Sequence, residues 1–370
     1  MHFETKAIHS GAEVDEATGA VAPPLHLSTT FERTATGETP RGFSYIRDAN
    51  PTQSRLEEAL AAIDSGAASL AFASGMAATS ALLQSLRGHV LLPSDGYYAV
   101  RALASELFPS WGLSHDYVAM DDLDSVRNAM RDDTRVVWCE TPSNPLMTIA
   151  DVSALASLAH ERGALLVVDG TFATPALQRP IEQGADVVIH SATKYLGGHS
   201  DVQGGTVTFA SKGDLFERVE HIRTITGGVA SPFNCWLILR GIRSLPARMR
   251  MHCENARAIA SFLATHPGVE VVHYPGLESD PGHAIAKRQM SDFGGMMSFR
   301  VRGGRDEALA VTAKTQVFTR ATSLGGVESL IEHRASSEGA GSRTPENLLR
   351  MSIGLEHYED LIEDLRGALG

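Results

Sequence analysis

Cysteine is nearly absent from this 370-residue chain, with only Cys139, Cys235 and Cys253, an odd number set far apart. They form no CxxC pair and no zinc-ligand spacing, so a disulfide framework is excluded and a reduced, cytoplasmic setting is expected. Bases are short too: 32 Lys and Arg face 44 Asp and Glu, a net charge of −12. No basic field exists to hold a nucleic-acid backbone, although a local anion site is still compatible with that balance. No apolar run approaches the ~18 residues of a membrane span, and the opening MHFETKAIHSGAEVDE lacks the apolar centre of a signal peptide. GxGxxG after a strand, GxxxxGK[ST] and HExxH are all missing, which disfavours nicotinamide, nucleotide and zincin sites. What remains is 43% hydrophobic and 21% charged, the balance of an ordinary folded protein with a sizeable core.

The length suggests two to three domains at roughly 150 residues each. Residues 1–51 carry little periodicity, and Pro23-Pro24 interrupts any helix there, so an extended N-terminal arm is expected. From Thr52 helical spacing begins, with Leu56, Ala59, Leu60 and Ile63 on one face. Apolar runs at Ser69–Ala73, His89–Pro93, Arg135–Cys139, Ala164–Val168 and Ala185–Ile189 then alternate with helical stretches near 75–87, 97–108, 122–131 and 151–162. LLVV and VVI show no alternation, which suits strands buried on both faces of a mostly parallel central sheet flanked by helices. This α/β domain is assigned to residues 52–230. A smaller α+β domain over 231–370 opens with a long helical stretch from Pro232 to about His266, expected to bend at Pro246. Strands Val269–Tyr274 and Met296–Val301 and a final helix Tyr358–Ala368 complete it.

Lysine is the scarcest base: Lys6, Lys194, Lys212, Lys287 and Lys314 are the only ones. Lys194 alone follows a buried-looking run, DVVIH, where open α/β sheets place their ligands; on position alone it reads as a strand-end lysine reaching to water. Asp169 ends another such run, as a turn-former or as a functional acid. Pyridoxal phosphate requires a lysine for its imine, an acid at its pyridinium and an anion site for its phosphate. Ser74-Gly75-Met76 precedes a helix whose N-terminal N–H groups could hold a phosphate, and Ser191 and Thr193 flank Lys194 with hydroxyls. His190, His199, Asp169 and Asp201 could be drawn as a metal cluster, but they lack a ligand spacing and leave Lys194 without a role, so no metal is expected.

With these residues in view, VVDGTFATPALQRPIEQGADVVIHSATKYLGGHSDVQGG closely resembles the signature of the Cys/Met-metabolism pyridoxal-phosphate enzymes. YIRDANPT, ASGMAA, ETPSNPL, SLGGVESL and LLRMSIGLE follow in the family's order, so the resemblance covers nearly the whole chain. It implies the type I fold of pyridoxal-phosphate transferases and a homo-oligomer, a tetramer made of two active-site dimers. It also implies roles. Lys194 matches the imine-forming lysine and later proton shuttle, and Asp169 the acid at the ring nitrogen. Gly75, Met76, Ser191 and Thr193 match the phosphate cradle, while Tyr45 and Arg47 match residues reaching a neighbouring subunit's phosphate. Tyr97, with Tyr98 as runner-up, matches the tyrosine stacked on the ring, Asn144 a residue near the ring oxygen, and Arg350 the substrate-carboxylate clamp. Ser323 and Glu328, in SLGGVESL, are expected to contact substrate.

The resemblance implies small sulfur-containing or homoserine-derived amino acids as substrates. The leading expectation is γ-replacement on an activated homoserine ester by cysteine, as in a cystathionine γ-synthase. Cystathionine γ-lyase, homocysteine formation from sulfide and β-lyase chemistry are the alternatives, and a cofactor-binding homologue without turnover is the reading from a different class. Some positions depart from the pattern: Gly170 stands where Asn is common, Ser44 where an acid is common, and Ala99 where methionine γ-lyases carry cysteine. HRASSEGAGSRTPENLL replaces the usual HPA-type segment beside the substrate entrance.

Overall fold

The computed structural model describes residues 1–339 and 342–370; residues 340 and 341, inside HRASSEGAGSRTPENLL, lie outside the described residues. Seven strands form the larger sheet: β1 (Ala68–Phe72), β2 (Gly88–Pro93), β3 (Leu113–Val118), β4 (Thr134–Glu140), β5 (Leu165–Asp169), β6 (Val187–His190) and β7 (Gly205–Phe209). Their spatial order is β1-β7-β6-β5-β4-β2-β3. Strands β2 to β6 pair in parallel, whereas β7 runs antiparallel between β1 and β6.

The missing alternation in the central strands has a direct cause. Val136, Trp138, Val167, Val187 and Ile189 enter the core on one face, while Val137, Cys139, Val168 and Val188 enter a separate core on the other. Helices cover both faces, so neither set of side chains meets water. The edge strand β3, LSHDYV, and the Gly-Thr strand β7, GTVTF, escape a search for apolar runs, as does the helix Asp214–Thr226 that follows β7.

Five strands form the smaller sheet: β8 (Val269–His273), β9 (Met296–Val301), β10 (Thr319–Arg320), β11 (Leu330–His333) and β12 (Leu348–Ser352), in the order β10-β11-β12-β9-β8. Met297, Phe299, Ile331, Leu349 and Met351 pack beneath Ile259 and Leu263 and the final helix's Leu361 and Leu365. Sequence reading finds β8 and β9 but not the other three strands.

Two expectations need correction. The stretch from Pro232 is two helices, Pro232–Ile242 and Leu245–Thr265, separated at Arg243-Ser244. Pro246 opens the second helix instead of bending a continuous one, because proline lacks the N–H that a first turn leaves unbonded anyway. The arm is not extended throughout. Phe3–His9 is helical and buries Ala7 against Leu56, Ala59 and Leu60. Beyond it the chain is largely irregular, with one bridge pairing Thr30 and Tyr45. Helix Pro51–Ile63 starts where Asn50 accepts the Thr52 N–H and Pro51 takes the first turn. Among the described residues no helix is long and apolar enough to cross a membrane.

Candidate active site

Glu140, Asp169 and His190 are the last residues of β4, β5 and β6, so three parallel strands deliver polar side chains to one sheet edge. The carboxyl edge of a parallel sheet is where such folds bind ligands. A cavity of about 540 Å³ opens there, its wall including Gly75, Met76, Asp169, Lys194, Ser323 and Arg350.

On one side lies an anion cradle. Ser74 caps helix Gly75–Gln84, its Oγ accepting the Ala77 N–H, while the first helical N–H groups face the cavity end without intrahelical partners. Gly75 packs on Ser191: a Cβ there would stand 3.1 Å from the serine Cβ. Gly205 is tighter still, since a Cβ would meet the Ser74 carbonyl oxygen at 2.2 Å. Only glycine lets β7 pass the cradle. Ser191 and Thr193 both line the cavity, but the Thr193 hydroxyl already exchanges hydrogen bonds with the Gly204 backbone.

Asp169 is held by Thr171, whose N–H and Oγ–H donate to Oδ1 at 3.0 and 2.6 Å. Burial pushes the Asp169 carboxyl upward, and the two Thr171 bonds pull it down. The Thr171 oxygen also accepts the Ser191 N–H at 2.9 Å, tying the acid to the cradle. Behind them, fully buried His190 pairs through Nε2 with Asp64 at 2.9 Å. Gly170 makes room for that ring, because a Cβ at 170 would lie 2.9 Å from His190 Cε1.

Lys194 follows β6, and its Nζ donates to Ser323 Oγ at 2.6 Å. Burial lowers the lysine to about 8, with the Arg350 cation adding to the shift. Ser323 itself has φ +90°, a conformation uncommon for any residue with a side chain. Its carbonyl accepts from Arg350 Nη2 at 3.1 Å. Arg350, on β12, is 4% exposed. Its Nη1 donates to Asn144 Oδ1 at 2.9 Å, and it pairs with Glu332, its register partner on β11. Burial lowers the Arg350 guanidinium to about 10 against the pull of Glu332.

Tyr97 and Tyr98 both line the cavity, their rings 5.1 Å apart and edge to face. Burial raises Tyr97, followed by Tyr98, against the opposing effect of Arg334 and Arg350. Glu140, which sequence reading passed over, accepts the N–H groups of both Tyr97 and Asn144 at 2.8 Å. Glu332, Arg334 and Ser337 were likewise not singled out. An acid closing the run VVWCE is the only signal that pointed to Glu140.

Three expected residues stand apart from this cavity's wall. The ring of Tyr45 is exposed and carries Arg47 over its face at 5.6 Å. Glu328 accepts from Ser200 Oγ. Ser44 bonds Arg33, and Ala99 does not line the cavity. His199 bonds the Gly197 carbonyl at 3.0 Å, and among the described residues no group of three or more His, Cys, Asp or Glu side chains converges as a metal site.

The donor set fits pyridoxal phosphate: a lysine of lowered basicity, an acid across the cavity from it, and a helix N-terminus with small residues for a phosphate. Comparison with known proteins agrees. The family model for Cys/Met metabolism PLP-dependent enzymes matches residues 4–370. Cystathionine gamma-synthase of Mycobacterium tuberculosis (strain ATCC 25618 / H37Rv) is 48% identical, covering 99% of this chain and 96% of that protein. Cystathionine beta-lyase of Coxiella burnetii is 41% identical over 100% and 98%, and cystathionine gamma-lyase of Dictyostelium discoideum 41% over 99% and 97%. The crystal structure of metB from Corynebacterium glutamicum superposes with a TM-score of 0.97 at 42% identity, covering 100% of this chain and 98% of that one. With a type I fold, the cofactor's donor set and relatives of this similarity over their whole length, the chain belongs to the Cys/Met metabolism PLP-dependent enzyme family.

Proposed function

We propose that the protein joins an activated homoserine ester to cysteine by γ-replacement, as a cystathionine γ-synthase does. The observation carrying an amino-acid substrate is Arg350, a buried guanidinium on the wall of the same cavity as Lys194 and held by Asn144, Ser323 and Glu332. Such a fork recognises an α-carboxylate bidentately and presents the amino acid to the lysine. The mycobacterial relatives named cystathionine gamma-synthase are 48 and 46% identical, against 41 to 42% for the lyases, which favours the synthase over elimination.

When bound, pyridoxal phosphate supplies an electron sink for charge developing at the substrate's Cα. The residues serve that chemistry separately. Gly75, Met76, Ser191 and Thr193 would hold the phosphate, Asp169 would keep the ring nitrogen protonated, and Tyr97 and Asn144 would hold the ring. Lys194 Nζ takes the Cα proton and moves it, because its lowered basicity leaves much of it neutral near pH 8. Ser323 holds that amine in place between moves.

The arm, residues 1–51, would complete the neighbouring subunit's site through Tyr45 and Arg47, which makes an active-site dimer; the family resemblance extends this to a tetramer of two such dimers. The large domain, 52–230, holds the cofactor, and 231–370 supplies the substrate clamp. Three buried free cysteines suit a cytoplasmic protein.

Product analysis tests the reaction. Cystathionine formed from ester plus cysteine, faster than 2-oxobutyrate from ester alone, supports replacement. Cysteine and 2-oxobutyrate from cystathionine would establish a γ-lyase instead, and homocysteine with pyruvate a β-lyase.

A further inference from the structure

Arg334 is a second buried guanidinium on the cavity wall, close to Arg350, and its bonding is incomplete. It is 3% exposed. Its Nη1 stands 3.3 Å from Glu332 Oε1, the oxygen that Arg350 also engages, and its Nε stands 3.3 Å from Glu338 Oε1. Nη2 has no hydrogen-bond partner among the described residues, and Nε has none of acceptable geometry. A guanidinium carries five N–H donors, and burying them unpaired is costly.

The bland reading is a structural ion pair, and the geometry argues against it. Each acid also takes other donors, Glu332 on both oxygens and Glu338 on Oε2. Glu332 also accepts from Ser337 Oγ at 2.8 Å, and Glu338 accepts from Ser342 and Thr344 hydroxyls at 2.7 and 3.0 Å. Arg334 therefore receives two loose contacts from carboxylates that serve other donors better. Its guanidinium carbon lies over the Tyr98 ring, 5.6 Å from the centroid, a cation–π contact that helps hold it in place. A rigid, under-bonded cation beside the clamp for one carboxylate is suited to a second carboxylate.

We propose that Arg334 is the recognition site for a carboxylate at the far end of the substrate's side chain. The inference rests on the functional reading above for the placement of the α-carboxylate on Arg350. It selects, among activated homoserine esters, those of a dicarboxylic acid over a simple acetyl ester. It equally fits a thioether product carrying a second amino-acid carboxylate. Ser337, which also lines the cavity, supplies a hydroxyl beside it.

The test uses the cofactor-loaded enzyme and two unreactive amino acids of matched length, 2-aminosuberate with a distal carboxylate and 2-aminooctanoate without one. Calorimetry gives the affinity of each for the wild type and for Arg334→Gln. The expected result is a wild-type preference for 2-aminosuberate that falls about 10-fold in the variant, the order expected for losing one charge-assisted pair. With esters, the ratio of kcat/KM for O-succinyl- over O-acetyl-homoserine should fall in parallel. A wild type with no preference, or a preference unchanged in Arg334→Gln, overturns the proposal. Should Arg334→Gln fail to fold, Arg334→Lys replaces it: a several-fold smaller preference supports the site, and an undiminished one overturns it. Because binding requires no turnover, failure of the replacement reaction leaves this measurement decisive. Loss of the distal-carboxylate site would, conversely, leave the replacement chemistry standing.

Discussion

Lys194 and Ser323 are joined by a 2.6 Å hydrogen bond from Nζ to Oγ, although one follows β6 of the large sheet and the other precedes β11 of the small one. The Lys194 amine is thus positioned by both sheets.

The first expectation concerns pH. A solvated lysine titrates near ~10.4 and is less than about 1% neutral at pH 8, whereas Lys194, lowered to about 8 by burial and Arg350, is roughly half neutral there. Only the neutral amine attacks an aldehyde. Uptake of pyridoxal phosphate by the cofactor-free protein, followed by its visible absorption, should therefore accelerate up to about pH 8 and then level off. A rate still climbing tenfold per unit above pH 9 would contradict the lowered basicity.

Glu140 is expected to act by positioning. Its carboxylate accepts the backbone N–H groups of Tyr97 and Asn144, and Glu140→Ala leaves both partners without an acceptor. Each buried unpaired group costs about 1–3 kcal/mol, so denaturant unfolding should show a loss of about 2–5 kcal/mol. Tyr97 and Asn144 donate to different oxygens of Glu140, so Glu140→Gln, which keeps only one acceptor oxygen, should lose about half of that. An Ala variant as stable as the wild type would remove Glu140 from this role.

Arg350 ties substrate recognition to stability. Arg350→Lys keeps a charge but loses the fork, and KM for the amino-acid substrate should rise on the order of 100-fold with a smaller change in kcat. Arg350→Ala strips Glu332 of its cross-strand partner, and breaking such a buried pair costs about 3–5 kcal/mol. An unchanged KM in the lysine variant would show that the substrate carboxylate binds elsewhere.

The arm can be tested by complementation. Arg47→Ala and Lys194→Ala should each be inactive alone, by about 10²-fold and 10³-fold or more. Refolded together, they should regain up to about a quarter of wild-type activity, the share expected when hybrid dimers carry one intact site. Hybrids that form but recover no activity would place Arg47 in its own subunit's site.

Much of this was legible in the sequence for a physical reason. Central strands such as LLVVD and VVIH are apolar on both faces, and their ends carry Asp169 and lead into Lys194, so run and chemistry coincide. Strand β7 hid because its Thr206 and Thr208 are buried yet polar, with Thr208 Oγ1 donating to Asp64 and Ser69. Strands β11 and β12 hid because LIEH and LLRMS carry charges whose mutual neutralisation is visible only once Glu332 faces Arg350. Family resemblance supplied Arg350, but nothing in the sequence marks Glu332 and Arg334, which only the fold brings together. The split at Arg243-Ser244 was obscured because proline was taken as a bend when it marks a first turn.

The insertion of β7 between β1 and β6 has a consequence for how the protein assembles. Gly205 lies against the Ser74 carbonyl and Gly75 against Ser191, so this end of the cavity is complete only when segments far apart in the chain have met. Long-range closure of this kind is slow relative to local helix formation. A cofactor held at this end of the cavity would therefore need the finished sheet, and its absorption would report a completed fold, not early collapse.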